Sequence, residues 1–179
     1  MDNELYHYGI KGMKWGVRRY QKSNGSLTPA GKKRYSTKTK NGETLELIRD
    51  EGGALSKALR RVSPKIKEEA DKTYYMNMMV NGKNVGNLQL YQKPDKEMNI
   101  TWGSTKEQYR GRGYMQAAMK LGEQIAKDQG NVKITGELVG NSPDIHTVAN
   151  KGGYRKVGEI KTQDVVDMWG GLTLVEKDL

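Results

Sequence analysis

The chain has 179 residues, 35% of them apolar and 29% charged, which is enough for one domain with a single core and a tail. It contains no Cys and two His, which excludes disulfides, a thiol nucleophile and a zinc site with thiolate ligands, so we expect no metal site. It has no apolar run of about 18 residues and no apolar leader, so we expect a soluble, intracellular protein without a membrane span.

The net charge of +10 is concentrated at the start of the chain. Residues 1–40 hold ten basic and two acidic side chains, whereas the remainder holds twenty-one basic and nineteen acidic side chains. Because this charge does not cover a folded face, nucleic acid is not predicted as a partner beyond non-specific binding by the tail. Ser, Thr, Gly and Lys dominate residues 21–40, which predicts a linker. We therefore divide the chain into a basic, largely flexible tail at 1–41 and a folded domain at 42–179.

The tail contains one unusual segment at residues 6–19, with the sequence YHYGIKGMKWGVRR. Its aromatic and aliphatic residues are interleaved with Gly and basic residues, so it is too apolar for a plain linker and too short to fold alone. It resembles a short N-terminal segment of many otherwise unrelated phage proteins from Gram-positive hosts, often virion-associated ones. The resemblance implies a phage origin and docking to a phage structural protein, and a disordered basic tail is the alternative.

The first half of the domain predicts two helices between strands. Asn81-Gly82 separates two runs rich in β-formers, which is a strong hairpin signal, and Pro64 suits the first position of a helix. We expect Met98, Ile100 and Trp102 to form a core-facing stripe on one strand. The predicted elements are a strand at 43–49, a helix at 53–62, a second helix from Pro64, and strands at 73–80, 85–91 and 96–103.

The second half contains one long helix, predicted at 113–129 and capped by Gly130. The other predicted elements are a strand at 132–138, a short helix at 142–151, and strands at 154–160 and 165–175, the last of them bent at Gly170-Gly171. The resulting order is β-α-α-β-β-β-α-β-α-β-β. It predicts a mixed α/β domain.

The residues with the clearest chemistry are Glu-Gln-Tyr-Arg-Gly-Arg-Gly at 107–113, between a strand and the long helix. Gly111 and Gly113 allow a ligand to approach the backbone, and the first N–H groups of the helix then point at it. A phosphate or pyrophosphate suits such a site, and Arg110 and Arg112 add positive charge. A mononucleotide P-loop is excluded because Gly-Lys-Ser/Thr is missing, and the dinucleotide fingerprint lacks its third glycine and its βαβ unit.

Gln108 to Gly113 match the (Gln/Arg)-x-x-Gly-x-Gly acyl-CoA signature of the GNAT N-acetyltransferase superfamily, in the family's position between the fourth strand and the long helix. A second family motif is similar to Asn141, the short helix after it and the turn at residues 150–155 (NKGGYR). The element order of residues 42–179 also resembles that of the family. The resemblance implies a mixed, mainly antiparallel central sheet of about 6–7 strands flanked by about 4 helices, behind a basic N-terminal tail, and acetyl-CoA as the cofactor.

The resemblance also implies roles for individual residues. Thr101 and Gly103 are expected to pair with the pantetheine arm, and an exposed N–H there to stabilise an oxyanion. Asn141 is expected to line the same cleft. The residues whose backbone N–H groups are expected to hold the pyrophosphate are Gln108, Tyr109, Arg110, Gly111, Arg112, Gly113 and Tyr114.

Acetyl transfer to an amine needs a base, because an alkylammonium with a pKa of about 10.4 has no free lone pair. Our candidate is Glu97, eleven residues before Gln108, because histone-type members of the superfamily carry a Glu at a similar spacing. The alternative for Glu97 is a solvated charge at a strand end. Where the family has a Tyr that protonates the leaving thiolate, this chain has Ala149, so another Tyr serves, the thiolate leaves unaided, or activity is reduced. We predict that Tyr154 packs in the core and that His146 is a hydrogen-bonded or surface residue.

Two functions follow from these residues. The first is an acetyl-CoA-dependent N-acetyltransferase that moves an acetyl group to a primary amine, on a small molecule or a protein lysine, by direct attack. The second is a non-catalytic GNAT-like phage protein, recruited to a virion or other partner through residues 6–19. The predicted location is the cytoplasm of a bacterial host, with virion association as the alternative.

Overall fold

An eight-stranded sheet organises the part of the chain that the structure describes. This computed structural model describes residues 28–50 and 52–179, without the side chains of residues 32–34. The predictions for residues 6–19 lie outside the described residues. The strands are β1 (Ser36–Lys38), β2 (Thr44–Arg49), β3 (Thr73–Val80), β4 (Lys83–Lys93), β5 (Glu97–Thr105), β6 (Lys133–Val139), β7 (Arg155–Ile160) and β8 (Leu172–Asp178).

Six helices accompany the sheet in residues 28–50 and 52–179. They are α1 (Pro29–Arg34), α2 (Ala54–Val62), α3 (Pro64–Lys72), α4 (Tyr114–Asp128), α5 (Pro143–Lys151) and α6 (Gln163–Trp169). A short 3₁₀ turn at Glu107–Tyr109 lies between β5 and α4. None of the helices in the described segments is long and apolar enough to cross a membrane.

The strand order is β1-β2-β3-β4-β5-β6-β8-β7. Every neighbouring pair is antiparallel except β5 and β6, which run parallel. The predicted mixed, mainly antiparallel architecture is therefore confirmed. The described chain has eight strands and six helices, more than the sequence predicted.

Local sequence explains the first half of this architecture. Asn81 and Gly82 both have positive φ, 49° and 75°, which is the conformation that a two-residue hairpin turn requires. The hairpin prediction is therefore confirmed. At the start of α3 the Ser63 hydroxyl accepts a hydrogen bond from the Ile66 N–H at 3.4 Å, and Pro64 takes the first helical position.

The core lies between α4 and the sheet. Eight residues of α4 are buried, and they repeat at helical spacing as predicted: Tyr114, Ala117, Ala118, Met119, Leu121, Gly122, Ile125 and Ala126. Gly122 allows the helix to approach the sheet closely, because a Cβ there would lie 3.2 Å from Leu88 Cδ2. The long helix α4 therefore packs closely against β4.

Two predictions about helices, strands and loops were wrong. The linker predicted at residues 21–40 is ordered from Thr28 onward, since α1 and β1 lie within it and β1 pairs with β2. Tyr35 holds this segment: it is 6% exposed, and its hydroxyl donates to Asp128 Oδ2 at 2.9 Å. The strand predicted at 165–175 begins only at Leu172, because α6 precedes it and ends where Gly170 adopts a left-handed φ of 69°.

Candidate functional site

The parallel strands β5 and β6 separate halfway along the sheet. Their pairing runs from Glu97 opposite Lys133 to Ile100 opposite Gly136. Beyond that point β5 pairs only with β4, and β6 pairs only with β8. Within the described residues, the edge of β5 from Thr101 to Thr105 therefore faces no other strand. The Thr105 carbonyl accepts a hydrogen bond from Arg110 Nε at 3.3 Å, and the backbone groups of this edge before it can pair with an extended, amide-containing ligand.

A β-bulge lies at the point of separation. Leu90 is opposite Ile100 while Gln89 is opposite Trp102, so Thr101 is an extra residue on β5. The bulge reverses the faces of the strand that follows it, and Trp102 is 49% exposed. The prediction that Trp102 continues the core stripe of Met98 and Ile100 was therefore wrong. Its side chain lines a cavity instead.

This cavity, of about 510 Å³, opens between the separated strands, the start of α4 and the start of α5. We call it the strand-gap cavity. It brings together seven of the predicted cofactor-binding residues: Thr101, Gly103, Tyr109, Arg110, Gly111, Gly113 and Tyr114. Three others do not line it: Gln108, Arg112 and Asn141. The Asn141 N–H instead donates to the Trp169 carbonyl at 3.1 Å, so the Asn141 backbone joins the start of α5 to the end of α6.

The loop at residues 110–113 places two left-handed residues before α4. Gly111 has φ 75° and Gly113 has φ 78°, a region that other residues rarely adopt. Gly113 is the N-cap of α4, and no side chain of the described residues caps the helix there. The first N–H groups of this 15-residue helix therefore remain uncapped beside the strand-gap cavity, which Gly113 and Tyr114 line, at the positive end of the helix dipole. This arrangement binds anions.

Aromatic and charged side chains fix the position of this loop. The Tyr114 hydroxyl donates to Glu43 Oε2 at 2.6 Å, which ties the start of α4 to the segment before β2. Burial raises the pKa of Tyr114, and the Glu43 carboxylate raises it further. The Arg112 guanidinium lies over the Tyr109 ring at 5.7 Å from its centroid. Arg112 is thus held against the loop and away from the strand-gap cavity.

Glu97, the predicted base, lies at the start of β5 and does not line the strand-gap cavity. Its Oε1 accepts hydrogen bonds from Lys93 Nζ at 2.9 Å and from the Thr135 hydroxyl at 2.8 Å. Burial raises the pKa of Glu97, but the hydrogen bonds from Lys93 and Thr135, together with the charges of Lys93 and Lys133, lower it by more, so the net shift is downward. Its catalytic role stays a prediction.

A second carboxylate, which the sequence did not single out, does line the cavity. Glu137 directly follows Gly136, the last residue of β6 that pairs with β5. It is exposed and lies on the same face of β6 as Thr135, about 7 Å further along the strand. Only the register between β5 and β6 identifies it. No pattern in the sequence shows where the two strands separate.

The region after β6 contains Tyr154 and His146, whose predicted roles agree with the structure, and Ala149, which stands where the family has a Tyr. Tyr154 is 5% exposed and belongs to the core, as predicted. His146 Nε2 lies 3.1 Å from the Val139 carbonyl, in agreement with a hydrogen-bonded role. Ala149 is fully buried and provides no hydroxyl.

Comparison with known protein families matches residues 43–149 to the acetyltransferase (GNAT) family. Residues 1–22 match a family of unknown function (DUF7211). Among curated proteins, none matches this sequence significantly.

Solved structures with a similar architecture cover most of the chain. An IAA acetyltransferase from Bacillus cereus has a TM-score of 0.59 at 16% identity, over 75% of this chain and 98% of that one. An acetyltransferase from Bacillus subtilis in complex with CoA has a TM-score of 0.59 at 14% identity, over 75% and 97%. A GNAT family acetyltransferase from Elizabethkingia anophelis with acetyl-CoA bound has a TM-score of 0.59 at 15% identity, over 78% and 100%. At these identities the likeness establishes the fold alone.

Proposed function

Because this chain belongs to the acetyltransferase (GNAT) family, we propose that it moves the acetyl group of acetyl-CoA to a primary amine by direct attack of the amine. When bound, acetyl-CoA supplies the activated acetyl thioester. The observation that supports the proposal most strongly is the separation of β5 and β6 beside the glycine loop. It places an unpaired strand edge and an anion-binding helix N-terminus on one cavity.

The residues of this chain fit acetyl-CoA at both ends of the strand-gap cavity. The free edge of β5 at Thr101 and Gly103 presents backbone groups that complement the amides of a pantetheine arm. At the glycine loop a Cβ on Gly111 would meet no other atom within 4 Å, so the space in front of this backbone is open. A pyrophosphate can occupy that space and accept hydrogen bonds from the first turn of α4.

The extra residue of the β5 bulge is suited to the reacting carbonyl. Thr101 is not paired with a residue of β4, although its hydroxyl donates to the Gln89 carbonyl at 3.4 Å, and it lines the strand-gap cavity. A fixed N–H at that place can stabilise negative charge that develops on the carbonyl oxygen. The new N–C bond replaces the C–S bond of the thioester, and the amine proton passes to a carboxylate.

Two carboxylates are candidates for that proton. Glu97 is ionised at neutral pH, as an ordinary glutamate is, and its lowered pKa makes it a weaker base. It would act through a water because it lies outside the cavity lining. Glu137 lines the cavity next to the strand separation and can reach an amine there directly. We favour Glu137 on this geometry, with Glu97 as the remote alternative on the same sheet face.

The leaving thiolate needs less help than the amine. Ala149 replaces the Tyr that the family signature leads one to expect, and it is buried. An ordinary thiol has a pKa of about 8.5, so water can protonate the thiolate of CoA at neutral pH. The absence of a Tyr at residue 149 is therefore compatible with turnover.

The N-terminal segment has a role separate from the chemistry in this proposal. Residues 1–22 match a family of their own, outside the acetyltransferase match at 43–149. We propose that the chain is phage-encoded, acts in the bacterial cytoplasm, and uses this segment to contact a phage structural protein. Co-purification of a fusion of residues 1–27 with virion proteins, against a fusion with Trp15→Ala, tests this role independently of catalysis.

The acetyl-transfer proposal is tested by mixing the full chain with acetyl-CoA and a panel of primary amines: a polyamine, an aminoglycoside and a lysine peptide. Mass spectrometry should show one acetylated amine whose formation requires both the chain and acetyl-CoA. If no amine in the panel is acetylated while acetyl-CoA binds, the non-catalytic alternative is favoured.

A further inference from the structure

A second cavity lies on the far side of the glycine loop. It measures about 360 Å³ and is lined by Thr37–Lys40, one side of α4 and the end of α5. It shares Lys40, Gly113 and Lys151 with the strand-gap cavity, so the two cavities adjoin at the start of α4. We call it the lysine cavity. Its wall at Thr37–Lys40 precedes the segment that matches the acetyltransferase family.

The lysine cavity is strongly positive. Four lysines on its wall form no ion pair with any residue that the structure describes: Lys38, Lys40, Lys120 and Lys151. A fifth, Lys177, is neutralised by Glu123, with Nζ and Oε2 2.7 Å apart. Among the residues that the structure describes, no other carboxylate lines the cavity. Four like charges around one concave surface attract a multiply charged anion.

The chain holds one of these lysines directly against the glycine loop. A Cβ on Gly113 would lie 3.1 Å from Lys40 Cγ, so the Lys40 stem crosses the N-terminus of α4. The segment that carries it is held by Tyr35 and by the pairing of β1 with β2. The position of the lysine cavity relative to the glycine loop is therefore fixed by the fold.

We propose that the lysine cavity binds the 3′-phosphate of coenzyme A. This inference rests on the proposed function, because it requires the pyrophosphate to lie at the glycine loop. A phosphate monoester carries close to two negative charges at neutral pH, which matches a cavity of excess positive charge. The cavity adjoins the site proposed for the rest of the cofactor. Lys38 and Lys40, which lie outside the segment that matches the family, thus favour CoA over 3′-dephospho-CoA.

The test compares CoA with 3′-dephospho-CoA by calorimetric titration of the full chain at low salt. We expect CoA to bind about tenfold more tightly, as one or two well-placed charge pairs near a protein surface would give. The double variant Lys38→Gln/Lys120→Gln removes two lysines that line only the lysine cavity. This double variant should weaken the binding of CoA and leave that of 3′-dephospho-CoA unchanged, because only CoA carries the phosphate that the two lysines attract. The affinities for the two compounds should then agree within about twofold.

Three controls separate the outcomes. The double variant Lys65→Gln/Lys67→Gln on α3 removes the same charge away from both cavities and should keep the preference for CoA. High salt should reduce the wild-type preference, because exposed charges are screened. Inorganic phosphate should compete with CoA more strongly than with 3′-dephospho-CoA. Equal affinities of the wild type for both compounds would overturn this inference and leave the acetyl-transfer proposal standing. Failure of both compounds to bind would overturn both.

Discussion

At Gly111 the proposed cofactor site can be tested with two substitutions that have nearly the same shape and differ in charge. Its φ of 75° lies in the left-handed region, and a Cβ there would meet no other atom within 4 Å. A Cβ at this residue therefore causes no steric clash in the free protein, although the backbone conformation strains it, and it would occupy the space proposed for the pyrophosphate. Asn and Asp have nearly the same shape and both tolerate a left-handed conformation better than most residues.

The pair Gly111→Asn and Gly111→Asp thus separates shape from charge. Both variants should lose stability by up to about 1–2 kcal/mol from the backbone conformation alone. The Asp adds a negative charge beside a phosphate group. At 4 Å two unit charges interact by about 1 kcal/mol in water and about 4 kcal/mol near a protein surface. We therefore expect Gly111→Asp to bind acetyl-CoA about 5- to 900-fold more weakly than Gly111→Asn.

Calorimetric titration with acetyl-CoA, together with thermal melting, measures both effects. The Asp variant should melt close to the Asn variant and differ from it mainly in affinity, and the difference should shrink in high salt. Equal affinities of the two variants for acetyl-CoA would refute the placement of a phosphate at the glycine loop.

Three further predictions concern catalysis and stability. Glu137→Gln should lower the transfer rate by about 10²–10⁴-fold at neutral pH, and this loss should shrink as the pH approaches the amine pKa of about 10.4. Glu97→Gln should change the transfer rate less. If pH–rate profiles show the larger loss for Glu97→Gln, the base is Glu97. Folding lowers the pKa of Glu97, so its carboxylate should stabilise the fold above the usual glutamate pKa of about 4.3, and this stabilisation should be lost as the pH falls through the lowered pKa. Denaturant melts of the wild type and of Glu97→Gln should therefore differ at pH 7 and converge in acid. Removing residues 1–27 should leave the melting temperature unchanged. Removing residues 1–40 also removes β1 and the buried Tyr35, so it should lower the melting temperature. Equal melting temperatures of the two truncated chains would contradict the packing of Tyr35.

Local signals predicted much of the fold. The Asn81-Gly82 turn, the Pro64 helix start and the periodicity of α4 each depend on neighbours in sequence, and each is present in the structure. The glycine loop was found for the same reason, since its two glycines and the following helix are adjacent in the chain. Residues that act through local geometry are the ones that a sequence pattern identifies.

The features that were missed depend on distant partners. Tyr35 is buried because it reaches Asp128, 93 residues away, and composition alone assigned its surroundings to a linker. Trp102 is exposed because one extra residue on β5 changes the register against β4. Glu137 became a candidate only when the register of β5 and β6 showed where the strands separate. Each of these positions follows from pairing between segments, which periodicity within one segment does not contain.

Acetyl transfer to a primary amine releases free CoA, whose thiol can be measured as the reaction proceeds. The chain contains no Cys, so a thiol-reactive dye added to the reaction reports only the thiol of released CoA. With the full chain and acetyl-CoA, we expect steady thiol release when an active amine is present. We expect no burst of thiol release when the amine is left out, and strongly reduced release with Gly111→Asp. Thiol release at the uncatalysed rate with every amine in the panel, by a chain that binds acetyl-CoA, would contradict acetyl transfer to a primary amine.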